Sequence, residues 1–263
     1  MARKSNSLVD DVMKASLAQG TGTVVSAAFG ALMTAAGVPE VAALTPLVSG
    51  AAIGVVNHFY DDFSQRKLSD LEKKKLDLFS RVAMQTFFDI AEKDGVTPIQ
   101  QQIDEGQLKY AYEAAEGFML TAIRQSQNTK IEILGRFFGS QLYEDTMGWQ
   151  DMHQMLSMAD TLTLRQLVLI RLIADDFKGL DTKLFISNPS ACVEINRLLD
   201  YGIWQTEGAM FGTNNSRSIQ LSLIKPTLYS KQVSKDLMLD RLSEDDINNT
   251  INSLRLTSEV HTA

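Results

Sequence analysis

The chain is predicted to be mainly α, with an N-terminal small-residue helical hairpin and helical bundle followed by a C-terminal winged-helix-like module. Three observations lead there. Between Ala15 and Tyr60 the one formal charge is Glu40, and Gly20, Gly22, Gly30, Gly37, Gly50 and Gly54 are spread among Ala, Ser, Thr and Val. From Asp61 the sequence becomes charge-rich with apolar residues at helical steps. Beyond Asp160 the cap and turn signals read helix, helix, strand, loop, strand, helix. The boundaries that follow are 1–98 for the hairpin and a long amphipathic helix, 99–157 for a helical middle, 158–240 for the winged-helix-like module, and 241–263 for a short helix and tail.

In the first segment, residues from about Leu8 to Ala36 read as helix, stopped by Gly37-Val-Pro-Glu40; a second small-residue helix runs from about Leu44 to Tyr60. Gly50-Ala-Ala-Ile-Gly54 puts two glycines on one face, a spacing that lets helix backbones approach closely in lipid or in a packed core. Both settings stay open: a buried hairpin in a soluble bundle, or one that meets a membrane. The stretch is too poor in strongly apolar residues for a standing transmembrane span. Asp10, Asp11 and Lys14 interrupt what would be a secretory leader.

Asp61 to Lys93 is expected to form the long amphipathic helix, with Leu68, Leu71, Leu78, Val82, Phe87 and Ile90 as its stripe and Asp62/Arg66 and Asp70/Lys74 as i,i+4 pairs. Lys73-Lys74-Lys75, flanked by Asp70, Glu72 and Asp77, reads as a solvated, salt-bridged face. Helices follow over about Asp104–Gln125 and Thr129–Thr146. Phe137, Phe138 and the series Met147, Met152, Met155, Met158 read as core packing.

In the C-terminal module, Thr163 to Gln166 is a capping box opening a helix from Leu164 to Phe177, closed by Gly179. Asn188-Pro189 starts the next helix, which runs to Asp200 with Gly202 as its C′ residue. Strands are expected at Ile203–Thr206 and Ser218–Ile224, joined by the Gly/Asn-rich Gly208–Ser216. A helix from about Leu228 to Leu239 and a short one capped by Ser243, with a polar tail, complete the chain.

Charge and composition narrow the function. Apolar residues make up 44% of 263 positions, enough for a core, and the net charge of −7 argues against broad nucleic-acid binding, which needs a basic face. The helix positioned to read DNA offers Asn196 and Arg197 against Glu194 and Asp200, and the wing adds Arg217, with Lys225 beyond it. That footprint is thin, and a protein contact suits it better. A single cysteine, Cys192, excludes an internal disulfide framework and fits a reducing cytosol. It lies near a helix N-terminus with no evident base, which favours a packing role. His58, His153 and His261 lack partners at metal-ligand spacing, and His153 reads as a partly buried structural residue. Asp175-Asp176 and Asp245-Asp246 read as helix-end charges. No phosphate-cradling, dinucleotide, zinc-protease or nucleophile-elbow motif occurs, so no enzyme activity, metal or cofactor is expected.

Three groups of residues carry a resemblance. They are Leu47-Val-Ser-Gly-Ala-Ala-Ile-Gly54 with the following Gln65-Arg-Lys-Leu68; Lys130-Ile-Glu-Ile-Leu-Gly-Arg-Phe-Phe138; and Leu162-Thr-Leu-Arg-Gln-Leu-Val-Leu-Ile170, Leu198-Leu-Asp-Tyr-Gly-Ile203 and Ile224-Lys-Pro-Thr-Leu228. In these the chain resembles the Abi-alpha group of bacterial abortive-infection-associated proteins. The last stretch is similar to a strand-to-helix turn often written LTPLG in wing modules, with Tyr229 where the glycine stands. The resemblance implies a role in phage defence or mobile-element biology.

Two functions are therefore expected. The first is a non-enzymatic anti-phage effector or accessory protein, cytoplasmic and peripheral to or inserting into the inner membrane. Its hairpin, centred on Gly30, Glu40, Gly50 and Gly54, acts on membrane lipid when the C-terminal module meets a phage trigger or another defence protein. The second is a soluble adaptor or weak DNA reader whose hairpin is a core or homodimer interface. Homo-oligomerisation fits both.

Overall fold

The computed structural model describes residues 68–94, 105–144, 149–206 and 218–258. The hairpin read over residues 8–60, including Gly30, Glu40, Gly50 and Gly54, lies outside the described residues, as do Met147 and the loop 208–216. The described residues are mainly α-helical, with a few two- and three-residue strands. They divide into two compact units, one ending at Asp160 and the other beginning at Thr161.

The first unit contains α1 (Asp70–Asp94), α2 (Glu105–Arg124), α3 (Asn128–Glu144) and α4 (Trp149–Thr161), the last running one residue past Asp160. The charged helix α1 begins at Asp70; residues 61–67, with which the sequence pattern opens it, lie outside the described residues. Ser69 sets the start: its hydroxyl accepts from Glu72 N at 3.3 Å while its own N–H donates to Glu72 Oε2 at 2.7 Å, a reciprocal capping box. The Ser69 hydroxyl, which also donates to Glu72 Oε2 at 2.6 Å, and then the Ser69 N–H hold the Glu72 carboxyl below its usual pKa. The buried face differs from the expected stripe. Leu76, Phe79, Ser80, Ala83 and Thr86 are buried, Leu78, Val82 and Ile90 are half-buried, and Leu71 is 63% exposed. The small residues Ser80 and Ala83 escape a count of large apolar side chains, yet they face the nearest helix.

That helix is α3, buried on nearly every side between Lys130 and Gln141. Gly135 and Gly139 lie against α1. A Cβ on Gly135 would stand 2.8 Å from Phe79 O and 3.0 Å from Val82 Cβ; one on Gly139 would overlap Ala83 O. The two contacts advance together, so α1 and α3 run in the same direction there. The close approach expected at Gly50 and Gly54 thus has an observed counterpart at Gly135-Arg-Phe-Phe-Gly139. Phe79, Phe118, Phe137 and Phe138 form the aromatic centre, with Phe118 5.2 Å from Phe137 and 5.0 Å from Phe138 between ring centroids. Met155 and Met158 are buried, as a core role requires.

Lysines close two helix ends. Lys75 Nζ donates to Ile123 O at 2.7 Å and Lys130 Nζ to Asp160 O at 2.9 Å, satisfying carbonyls that the last turn leaves open. Burial pulls the Lys130 pKa down, with Asp160 opposing the shift. Asp160 also accepts from Gln125 Nε2 at 2.6 Å and Arg124 Nη2 at 3.1 Å. In the lysine run, Lys75 therefore has a structural bond, and Lys73 approaches Asp70 at 3.9 Å.

The second unit is built round α5 (Leu164–Ala174), whose Gln166, Leu167, Val168, Leu169, Ile170, Leu172 and Ile173 are buried. The Thr163/Gln166 capping box is present. Packed on α5 are α6 (Pro189–Asp200), α7 (Leu228–Asp236) and α8 (Glu244–Leu254). β1 (Phe185–Ile186) lies between β3 (Ile219–Gln220) and β5 (Leu256–Thr257), antiparallel to both; β2 (Trp204–Thr206) pairs antiparallel with β4 (Ile224–Pro226), Gln205 opposite Lys225. The strand expected over Ser218–Ile224 is instead β3, a 3₁₀ turn at Leu221–Leu223, and β4. Ile219, Leu221 and Ile224 are all buried, and the three-residue step from Leu221 to Ile224 breaks the two-residue period a single strand needs. The expected polar tail contributes β5, tied on by Ser187 N to Arg255 O at 3.3 Å and Asn188 N to Leu254 O at 3.2 Å. α7 ends at Asp236, short of the expected Leu239, because Met238 turns left-handed at φ 47° before a 3₁₀ turn at Leu239–Arg241.

Helix α5 also ends early. Asp176 N bonds Ile173 O and Phe177 N bonds Leu172 O, a Schellman closure whose C′ residue is Asp176 at φ 52°, three positions before Gly179. A side chain in that conformation costs free energy that glycine avoids. Asp176→Gly should therefore stabilise the protein by up to about 1 kcal/mol, a rise of several degrees in melting temperature by calorimetry. A fall instead would mean that the Asp176 side chain contributes more than its backbone strain costs. At α6 the expectation holds: Asn188 caps through Ser190 N, Pro189 is at N1, and Gly202 closes the helix at φ 71° with Ile203 N on Leu198 O.

Candidate functional site

The residues singled out for contact with a partner are Asn196, Arg197, Arg217 and Lys225. Asn196 and Arg197 share the outward face of α6 and are exposed. Lys225 is half-buried on β4 opposite Gln205, in the strand pair whose first strand follows α6 through the Gly202 turn. Arg217 lies outside the described residues.

Helix α6 is oriented by its apolar face. Ala191, Ile195 and Leu198 recur at i, i+4, i+7 and are buried, with Cys192 beside them. Trp204, 1% exposed, donates from Nε1 to Ile195 O at 2.7 Å and anchors the helix to β2. On its flank, Arg165 of α5 grips Glu194 through two parallel bonds, Nε to Oε2 at 2.6 Å and Nη2 to Oε1 at 2.7 Å; Nη2 also reaches Ser190 Oγ at 2.8 Å. The Glu194 bonds raise the Arg165 pKa further. Glu194, which the sequence sets against Arg197 as an opposing surface charge, is thus engaged by α5. The charges left on the outward face are Arg197 and Asp200, three residues apart; neither side chain has a hydrogen bond or ion pair among the described residues.

Around those charges the surface is apolar. Val193 is 52% exposed, Tyr201 47%, and Leu228, at the start of α7, 88%. Leu228 follows Thr227, whose hydroxyl donates to Gly202 O at 2.8 Å and so fixes the start of α7 at the C-terminal end of α6. Sequence reasoning does not single these three out. Val193 is detectable there, since it falls opposite the Ala191–Ile195–Leu198 face. Leu228 and Tyr201 are not, because only the fold places the N-terminus of α7 beside the Gly202 turn.

The remaining candidates for chemistry have structural surroundings. Cys192 is buried, and desolvation pushes its thiol pKa up, against the lowering that a helix N-terminus can produce. His153 is exposed on α4 and not partly buried, because the buried side of α4 is formed by Met155, Leu156, Met158 and Ala159. Asp175 pairs with Arg171 at 2.7 Å, and Asp246 N is capped by Ser243 Oγ at 3.1 Å. Among the described residues no three His, Cys, Asp or Glu side chains gather as metal ligands, and no helix is long and apolar enough to cross a membrane. Comparison with protein-family models, curated proteins and solved structures finds no match to the chain.

Proposed function

We propose that the chain is a non-enzymatic effector or accessory protein of bacterial anti-phage defence. In this reading the second unit is a winged-helix-like module that recognises protein, either a phage trigger or another defence protein. The uncharged N-terminal segment then acts on the inner membrane as a helical hairpin. The observation that carries the reading is the contrast within one chain: a single formal charge, Glu40, between Ala15 and Tyr60, against charge-rich helices from Asp70 onward. A hairpin satisfies its own backbone hydrogen bonds in lipid, and the sequence pattern assigns Glu40 to its expected turn, where a charge can remain at the interface.

The surface of the second unit supports protein recognition over DNA. Nucleic-acid modules gather Lys and Arg to neutralise phosphates, whereas the outward face of α6 sets Arg197 against Asp200 beside Val193 and Tyr201. Aromatic and apolar exposure of this kind marks protein interfaces. Overexpression of the wild-type chain should arrest growth and admit a membrane-impermeant dye, and Gly50→Leu/Gly54→Leu should restore both growth and exclusion of the dye. A wild type that neither slows growth nor fractionates with membranes during infection would sink the effector reading and leave the soluble adaptor.

A further inference from the structure

The outward face of α6 is complementary to itself, and we infer that it is the contact through which two copies of this chain pair about a two-fold axis. The inference rests on reading the second unit as a protein-recognition module, and it names the occupant of that surface.

A two-fold contact brings the same patch of both partners together, so a residue and its opposite number exchange roles across the axis. On α6 the outward stripe runs through Val193, Asn196, Arg197, Asp200 and Tyr201, all exposed. Two such helices crossing antiparallel, with the axis between Arg197 and Asp200, place the Arg197 of one copy opposite the Asp200 of the other, twice. On the flanks of the stripe the axis sets each side of one copy against the same side of the other, so Tyr201 lies alongside its counterpart in the second copy, and Asn196 alongside its own. Val193 falls toward the opposing Gly202 turn, where Thr227 holds the N-terminus of α7 and Leu228 is 88% exposed. The register therefore offers partners for the two charges of α6 that have none among the described residues, and for the most exposed large apolar side chains of the unit. A DNA backbone would match Arg197 and be repelled by Asp200.

Helix α6 spans about 18 Å at 1.5 Å per residue, too little by itself for the roughly 800 Å² per partner of a standard interface. Reversible, salt-sensitive pairing follows, suited to a protein that gathers copies when its concentration or trigger rises.

Sedimentation velocity of the full chain tests this. Wild type should form a reversible dimer. Arg197→Asp sets carboxylate against carboxylate in both pairs, and Asp200→Arg sets guanidinium against guanidinium. Each should raise the dimer dissociation constant about tenfold or more. Mixing the two variants should restore dimers, because the carboxylates that one carries at both positions then meet the guanidinium groups that the other carries at both. The double exchange Arg197→Asp/Asp200→Arg should dimerise like wild type. Both positions are exposed, so folding is not at stake, and circular dichroism confirms it. A monomeric wild type, or a dimer unmoved by either reversal, overturns the inference. The latter would place self-association on another surface and leave the effector reading to its own growth and dye assay.

Discussion

Gly139→Ala is expected to destabilise the first unit by about 2–4 kcal/mol, although alanine is the better helix former. In an unobstructed helix interior the same change stabilises by about 1 kcal/mol. Here the added Cβ would overlap Ala83 O, a backbone atom of α1 that cannot move without α1 itself moving. Gly135→Ala should act in the same direction and less strongly, with Phe79 O at 2.8 Å and the Val82 side chain at 3.0 Å. Gly117 of α2 is the internal control. Its Cβ would meet only Leu156 Cδ2, at 3.3 Å, the end of a side chain that can turn away, so Gly117→Ala should be neutral or mildly stabilising. Thermal melts of the three variants, with hydrogen exchange resolved to α1 and α3, read the order. If Gly139→Ala and Gly117→Ala melt alike, the helices are not as close as described.

Trp204→Ala should cost about 3–5 kcal/mol, which is most of the stability of an ordinary domain at the low end of the usual range. The indole is the largest fully buried side chain among the described residues, and its Nε1–H has a partner in Ile195 O. Removing it empties the space between α6 and the β2–β4 pair. Trp204→Phe separates packing from the hydrogen bond: it keeps an aromatic ring, leaves no indole N–H to satisfy, and should lose roughly 1–2 kcal/mol. Chemical denaturation measures both, and exchange at the amides of α6 should accelerate in the alanine variant. A Trp204→Ala protein that unfolds within about 1 kcal/mol of wild type would remove Trp204 as the anchor of this helix.

Local chemistry is the part most legible in the sequence. Thr163 with Gln166, Asn188 with Pro189, Ser243 at the start of α8 and Gly202 at the end of α6 all act where their residue types indicate, because a cap needs only side chains and backbone a few residues apart. Legibility fails where a less favoured residue takes the same role. Asp176, not Gly179, closes α5, since the chain must turn at that point for Phe177 to be buried. The face of α1 is misassigned for a related reason. Large apolar residues are what periodicity counts, while the closest helix contact selects small ones.

At the candidate site, residue types and helical spacing identify α6 and its outward Asn196 and Arg197. They do not show that Glu194 turns to Arg165, a bond across 29 positions, or that Leu228 begins its helix beside the Gly202 turn. By itself, then, the sequence determined the helical character, most of the helix starts, and the uncharged N-terminal stretch on which the membrane proposal stands. Only the tertiary structure decided which glycines sit against a neighbouring backbone, how the short strands pair, and which charges of α6 are left to meet a partner. The reason is one of range. Periodicity and capping are set by neighbours within about four residues, whereas a burial partner or an ion pair is set by whatever distant segment the fold brings there.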